Sequence, residues 1–125
     1  DTSVWIAVFQ ARAPLDLERH VSRDEVATCL LVVQEVLQGF RDEAAFRRAR
    51  TGMLALPMIE SPLTQSVFTE AVDLYRMARR VGLTIRSSAD CLIAVCAMRH
   101  GLEILHRDRD FAALSRISPL RSRQV

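Results

Sequence analysis

The chain has 125 residues, half of them hydrophobic and about a quarter charged, with a net charge of +2. That is ordinary composition and enough length for one globular domain with its own core. It excludes a membrane helix, which needs roughly 18 consecutive apolar residues. No positively charged leader precedes an apolar stretch, so a cytoplasmic location with no membrane partner is expected. The cysteines, Cys29, Cys91 and Cys96, are odd in number and lack Cys-x-x-Cys spacing. This argues against a disulfide framework and a structural zinc site, and for buried thiols in a reducing compartment. His20, His100 and His106 share no ligand-like spacing. All 17 basic residues are Arg. Their planar forks suit phosphate, although genome-wide codon bias produces the same skew.

In chain order, Val4–Phe9 (VWIAVF) is apolar and β-branched and predicts a strand. Pro14 and the polar LDLERHVSRDE stretch predict one or two short helices. Val26–Val33 (VATCLLVV) predicts a buried strand that runs into the helix QEVLQGF, stopped at Gly39. Asp42–Leu56 is amphipathic, with Phe46, Ala49, Met53 and Leu56 on one side, and Pro57 ends it. Leu63–Val81 is the longest predicted helix. Val67, Ala71, Leu74, Tyr75, Ala78 and Val81 recur along it at helical spacing, and Gly82 terminates it. Arg86-Ser87-Ser88 opens an apolar helix, Ala89–Met98, stopped by Gly101. Leu102–Leu105 (LEIL) predicts a short strand, followed by Asp108, Asp110 and a short helix at Phe111–Leu114. Ile117–Leu120 predicts a last strand, and the terminal RSRQV is expected to be exposed. Alternating strands and helices predict an α/β fold with a parallel sheet.

In such sheets ligands bind beyond the carboxyl ends of the strands. Asp1, Glu35, Asp90 and Asp108 all fall at or near such points: Asp1 on the first strand, Glu35 opening the helix after the second, Asp90 in the first turn of the apolar helix, Asp108 after LEIL. Glu35 and Asp90 are also embedded in apolar runs, LLVVQEVLQGF and SSADCLIAVCA. A carboxylate taken out of water costs several kcal/mol unless it is paired or metal-bound. Converging carboxylates repel, and a divalent cation offsets that repulsion. Oxygen-only donors select Mg²⁺ or Mn²⁺ over zinc, and such ions hydrolyse phosphodiesters. Each acid also admits an ordinary structural role. Ser87-Ser88-Ala89-Asp90 fits a capping box, Asp108 fits a helix cap, and Glu35 fits a helix surface.

The opening DTSVWIAVF, the helix QEVLQGF and the block RSSADCLIAVCAMRHGLEILHRDRDF resemble the PIN domain. More narrowly, they are similar to the toxin half of VapBC-type toxin–antitoxin pairs. The resemblance covers essentially the whole chain, and its most specific piece runs from Ser87 to Phe111. It implies a single domain, a three-layer α/β/α sandwich with a mostly parallel central sheet. It implies Mg²⁺- or Mn²⁺-dependent endoribonuclease cleavage of tRNA, ribosomal RNA or mRNA, with Asp1, Glu35, Asp90 and Asp108 as catalytic metal ligands. Asp110 stands as a second-tier ligand, because either acid of RDRD fits the position. Ser3 matches a small polar residue lining the site, while Arg86 and Arg107 are weaker candidates for RNA phosphate contacts. The implied partners are a cognate VapB-type antitoxin and a second copy in a homodimer, assembled as a heterotetramer or larger. The amphipathic helices 42–56 and 63–81 fit a groove for an antitoxin helix or, equally, mutual packing. Family members usually have a methionine and a few apolar residues before the first acid, so the first strand is expected to be truncated here.

The mechanism so implied is in-line attack of an activated water on phosphorus with departure of the 3′-hydroxyl. A catalytically silent module of the same fold, acting only through RNA or protein contacts, is the competing reading. A receiver-type phosphoacceptor domain is disfavoured, because the Lys its chemistry calls for is absent.

Overall fold

The structure, a computed structural model, describes all residues from Asp1 to Val125. The chain packs as two compact units, Asp1–Ser61 and Pro62–Val125.

The first unit is built from three α-helices, α1 (Thr2–Phe9), α2 (Leu30–Leu37) and α3 (Glu43–Leu54), joined between α1 and α2 by two 3₁₀ turns at Leu17–Arg19 and Arg23–Glu25. α2 packs against both α1 and α3. Its buried face carries Val32, Val33 and Val36, facing a core that also holds Val4 and Ala7 of α1 and Ala49 and Met53 of α3. Trp5 stacks on Phe9 at 5.9 Å, and Phe9 meets the edge of Phe40 at 5.6 Å.

Two predicted strands are corrected here. Val4–Phe9 is helical, because Asp1 caps the turn: its carboxylate accepts from the Val4 N–H. Val26–Val33 contributes a single parallel bridge, Thr28 to Met58, before α2 begins at Leu30. In both runs every residue is apolar or small, so periodicity cannot separate a buried strand from a buried helix. The one or two short helices predicted around LDLERHVSRDE are present as the two 3₁₀ turns. The amphipathic segment ending before Pro57 is α3, capped by Asp42 through the Ala45 N–H at 2.6 Å.

The second unit holds α4 (Gln65–Arg80), α5 (Ser88–Arg99), β1 (Glu103–His106), α6 (Arg109–Leu114) and β2 (Arg121–Gln124). β1 and β2 pair in parallel, Glu103 opposite Arg121 through His106 opposite Gln124. Parallel neighbours need a crossover, and α6 supplies it. α4 packs on α5, and α5 on β1 and α6. The predicted face of α4 is the buried one at Val67, Ala71, Leu74 and Ala78, whereas Val81 is exposed. α5 is buried nearly all round, from Cys91 through Ala97.

Both long helices of this unit end the same way. Gly82 has φ +78 and Gly101 φ +61. Beyond each, the next amide donates back into the last turn, Leu83 to Ala78 and Leu102 to Ala97, both at 2.9 Å. This pairing requires a left-handed residue at the glycine. The last strand is also corrected: residues 117–120 form a turn, and the strand is the polar RSRQ that follows. Pro119 has no N–H to give a ladder, and the backbone of Arg121–Gln124 pairs instead. Its side chains are mostly exposed, as expected for the tail. All three cysteines are buried and none forms a disulfide. No helix is long and apolar enough to cross a membrane.

Candidate metal-binding acids

In the first unit the candidate acids gather where α1 starts beside α2. Asp1 does not lie on a strand; it is the N-cap of α1. Its Oδ1 accepts from the Val4 N–H at 3.3 Å and from the Ser3 hydroxyl at 2.7 Å. Glu35 sits in the second turn of α2 rather than opening it. The Thr2 hydroxyl donates to Glu35 Oε2 at 2.5 Å across 33 residues of sequence. Asp1, Thr2, Ser3 and Glu35 are all half-buried, and no guanidinium pairs with Glu35. A half-buried carboxylate with one hydroxyl donor retains acceptor capacity on both oxygens.

The second unit holds Asp90, Asp108 and Asp110. Asp90 is half-buried in the first turn of α5, where Ser87 is the N-cap residue without a side-chain capping bond. Asp108 is the N-cap of α6: its Oδ1 accepts the Asp110 N–H at 3.0 Å, so its structural role as a cap is real. Asp110 is only 2% exposed. Its Oδ2 accepts the Arg86 backbone N–H at 2.9 Å and the Arg86 Nε–H at 3.4 Å. Arg86 Nη2 donates to Asp108 Oδ1 at 2.5 Å. The Arg86 guanidinium is pushed to a higher pKa by Asp108 first and Asp110 second. Arg86 is therefore not a simple solvated arginine: its fork is committed to two acids of its own chain. Arg107, the other expected phosphate contact, donates from Nε to the Val125 carbonyl at 3.1 Å.

His106, at the end of β1, is buried against Phe111, with ring centroids 5.8 Å apart. Burial holds its pKa down, opposed by a backbone hydrogen bond and the charge of Asp108. Its Nδ1 makes no hydrogen bond, and the ring is part of the core. Cys91, beside Asp90, has its thiol pushed up to about 11 by burial first, then by Asp90 and Asp110. A thiol held protonated is a poor nucleophile and a poor metal ligand.

Neither unit by itself groups three His, Cys, Asp or Glu side chains as a metal cage. The donor chemistry nevertheless fits a hard divalent cation, since Asp1, Glu35, Asp90 and Asp108 offer carboxylate oxygen only. Asp108 in particular uses Oδ1 for both of its bonds and leaves Oδ2 unbonded. Sequence reasoning missed Thr2 and the Arg86 clamp. Both act over long sequence separations, and only the hydroxyl in Asp-Thr-Ser hinted at the first.

A family model described as the PIN domain matches residues 1–117. The chain belongs to the PIN domain family. This PIN domain is similar over nearly its whole length to two curated proteins. VapC ribonuclease Mb1587 of Mycobacterium bovis and Ribonuclease VapC11 of Mycobacterium tuberculosis are each 36% identical over 128 residues, covering 98% of this chain and 94% of theirs. Among solved structures, a chain of VapBC2 from Rickettsia felis bound to a DNA fragment from their promoter has a TM-score of 0.73 at 17% identity, covering 99% of this chain and 95% of that one. At that identity the likeness concerns the fold. The α/β class expected from sequence is thus that of the family, and the strand pairings within each unit, β1 with β2 and Thr28 with Met58, are all parallel.

Proposed function

We propose that this PIN domain is a divalent-metal-dependent endoribonuclease, the toxin of a type II toxin–antitoxin pair. The observation that carries the reading is its similarity, over 98% of its length, to proteins named VapC ribonucleases. The acids support it. Asp1 and Glu35 in one unit and Asp90 and Asp108 in the other are half-buried carboxylates, and we assign all four to Mg²⁺ or Mn²⁺. When bound, such an ion lowers the pKa of an attacking water and stabilises the departing 3′ oxygen.

The chain's own residues set up this chemistry. The Ser3 hydroxyl and Val4 N–H fix one oxygen of Asp1, and the Thr2 hydroxyl fixes one oxygen of Glu35. Each carboxylate is thereby oriented, which removes reorganisation from the reaction. Arg86 and the Asp110 N–H do the same for Asp108. Asp110 stays a second-tier ligand, because it is buried and Arg86 takes its Oδ2. The arrangement needs no nucleophile from the protein, in keeping with cysteines that are all buried.

The partner follows from the same reading. A chain of VapBC2 from Rickettsia felis shares this fold, and we assign this chain a VapB-type antitoxin, with a homodimer and a heterotetramer or larger as its assemblies. Purified protein incubated with total RNA should cleave it in Mg²⁺ or Mn²⁺ and fall silent in excess EDTA, and Glu35→Gln should be inactive. Metal-independent cleavage would refute the reading. Expression without the gene upstream should arrest growth, and co-expression should relieve it; harmless expression of active enzyme would refute the toxin assignment alone.

A further inference from the structure

We propose that Arg86 is a positioning residue that orients Asp108 for a divalent cation, with buried Asp110 as its anchor. The inference rests on the proposed metal-dependent reading, and it separates the two acids of RDRD into unlike roles.

The geometry is asymmetric. Asp110 is almost wholly buried, with a side chain 3% exposed, whereas the Asp108 side chain is 33% exposed. Arg86 holds the buried acid twice, through its backbone N–H and through Nε, both on Oδ2. The backbone bond and the short reach to Nε fix where the guanidinium plane begins. From there Nη2 reaches Asp108 Oδ1. That oxygen also takes the Asp110 N–H. Two donors on one oxygen fix the carboxylate against rotation and leave Oδ2 unbonded. Groups that orient a ligating carboxylate from outside are worth about 10–100-fold in metal affinity or activity. A guanidinium spans two acids with separate nitrogens, and a lysine ammonium, a single point on a flexible stem, does not reproduce that fork. Arg86→Lys therefore keeps the backbone bond to Asp110 and a cation beside it, while losing the bridge.

The test is calorimetric titration of the full chain with Mn²⁺ alone, without RNA, for wild type, Arg86→Lys and Arg86→Ala. Steady-state cleavage gives kcat and KM separately. Arg86→Lys should bind Mn²⁺ about 10-fold more weakly or worse, with kcat lowered and KM for RNA unchanged. In an Asp108→Asn background the same substitution should have no further effect on Mn²⁺ affinity, because its action runs through Asp108. If Arg86→Ala fails to fold, Arg86→Lys carries the test. Unchanged Mn²⁺ affinity with a raised KM and a flatter salt dependence would make Arg86 a phosphate contact and overturn the proposal. Tighter Mn²⁺ binding would make it a competing counter-ion and overturn it equally. Wild type that binds no Mn²⁺ would remove the metal-dependent reading and this inference with it, a result distinct from the two before.

Discussion

Thr2 and Glu35 are joined by a 2.5 Å hydrogen bond from the threonine hydroxyl to Glu35 Oε2, tying the first turn of α1 to the middle of α2. The bond orients one candidate ligand from a residue next to another, Asp1. Thr2→Val preserves shape and removes the donor. It should cost about 1 kcal/mol of stability, since hydrogen bonds to charged groups contribute about 1.5–3 kcal/mol when buried and this one is half-exposed. Cleavage should fall more than the melting temperature implies, and Thr2→Ser should restore most of it. Thermal denaturation alongside the RNA assay checks both; full activity in Thr2→Val would show that Glu35 needs no orientation from Thr2.

Asp108 and Asp110 should separate cleanly on substitution. Asp108→Asn leaves a good helix cap in place and should abolish cleavage with little change in stability. Asp110→Asn removes the charge that Arg86 is built around, and should lower stability by about 1–3 kcal/mol. Chemical denaturation of the two variants is the measurement. Equal stability losses would mean that the burial difference between them has no energetic meaning.

The fold was legible where the hydrophobic pattern had a period and a stop. The α4 helix shows both: Val67, Ala71, Leu74 and Ala78 are buried as their spacing requires, and Gly82 ends the helix in a left-handed conformation. LEIL was legible as a strand within one residue. The misread segments share a physical cause. VWIAVF and CLLVV are apolar at nearly every position, so burial on two sides erases the period that distinguishes helix from strand. RSRQ was missed for the opposite reason: its pairing to β1 is made by backbone groups, to which side-chain hydrophobicity is blind. The acids themselves were visible by type and surroundings. Their partners were not, because Arg86 lies 24 residues from Asp110 and 22 from Asp108.

The two glycine-terminated helices give a stability prediction independent of the acids. Gly82→Ala and Gly101→Ala each force a side chain into the left-handed region, which costs about 1–2 kcal/mol. Neither Cβ would meet a neighbour within 4 Å, so the cost is conformational alone. Melting curves should show similar losses for the two, with RNA cleavage unaffected below the transition. A loss of activity without a loss of stability would place these turns in the substrate path.

The cysteines should be silent in the native state. Cys91 is 1% exposed and its thiol is pushed up to about 11, so at pH 8 it is both hidden and protonated. Cys29 and Cys96 are buried as well. A thiol-specific reagent should find no cysteine within minutes in buffer and all three in denaturant. Rapid native labelling at Cys91 would show that the first turn of α5 opens readily.

The central claim is that Asp90, one of the four assigned carboxylates, serves metal-dependent RNA hydrolysis rather than the helix it begins. The most direct measurement compares wild type and Asp90→Asn on a defined RNA in Mg²⁺, in Mn²⁺ and in excess EDTA, with circular dichroism on the same samples. The account predicts cleavage by wild type only when metal is present, and none by Asp90→Asn although its helical spectrum is unchanged. Cleavage by folded Asp90→Asn at the wild-type rate, or by wild type in EDTA, would contradict it.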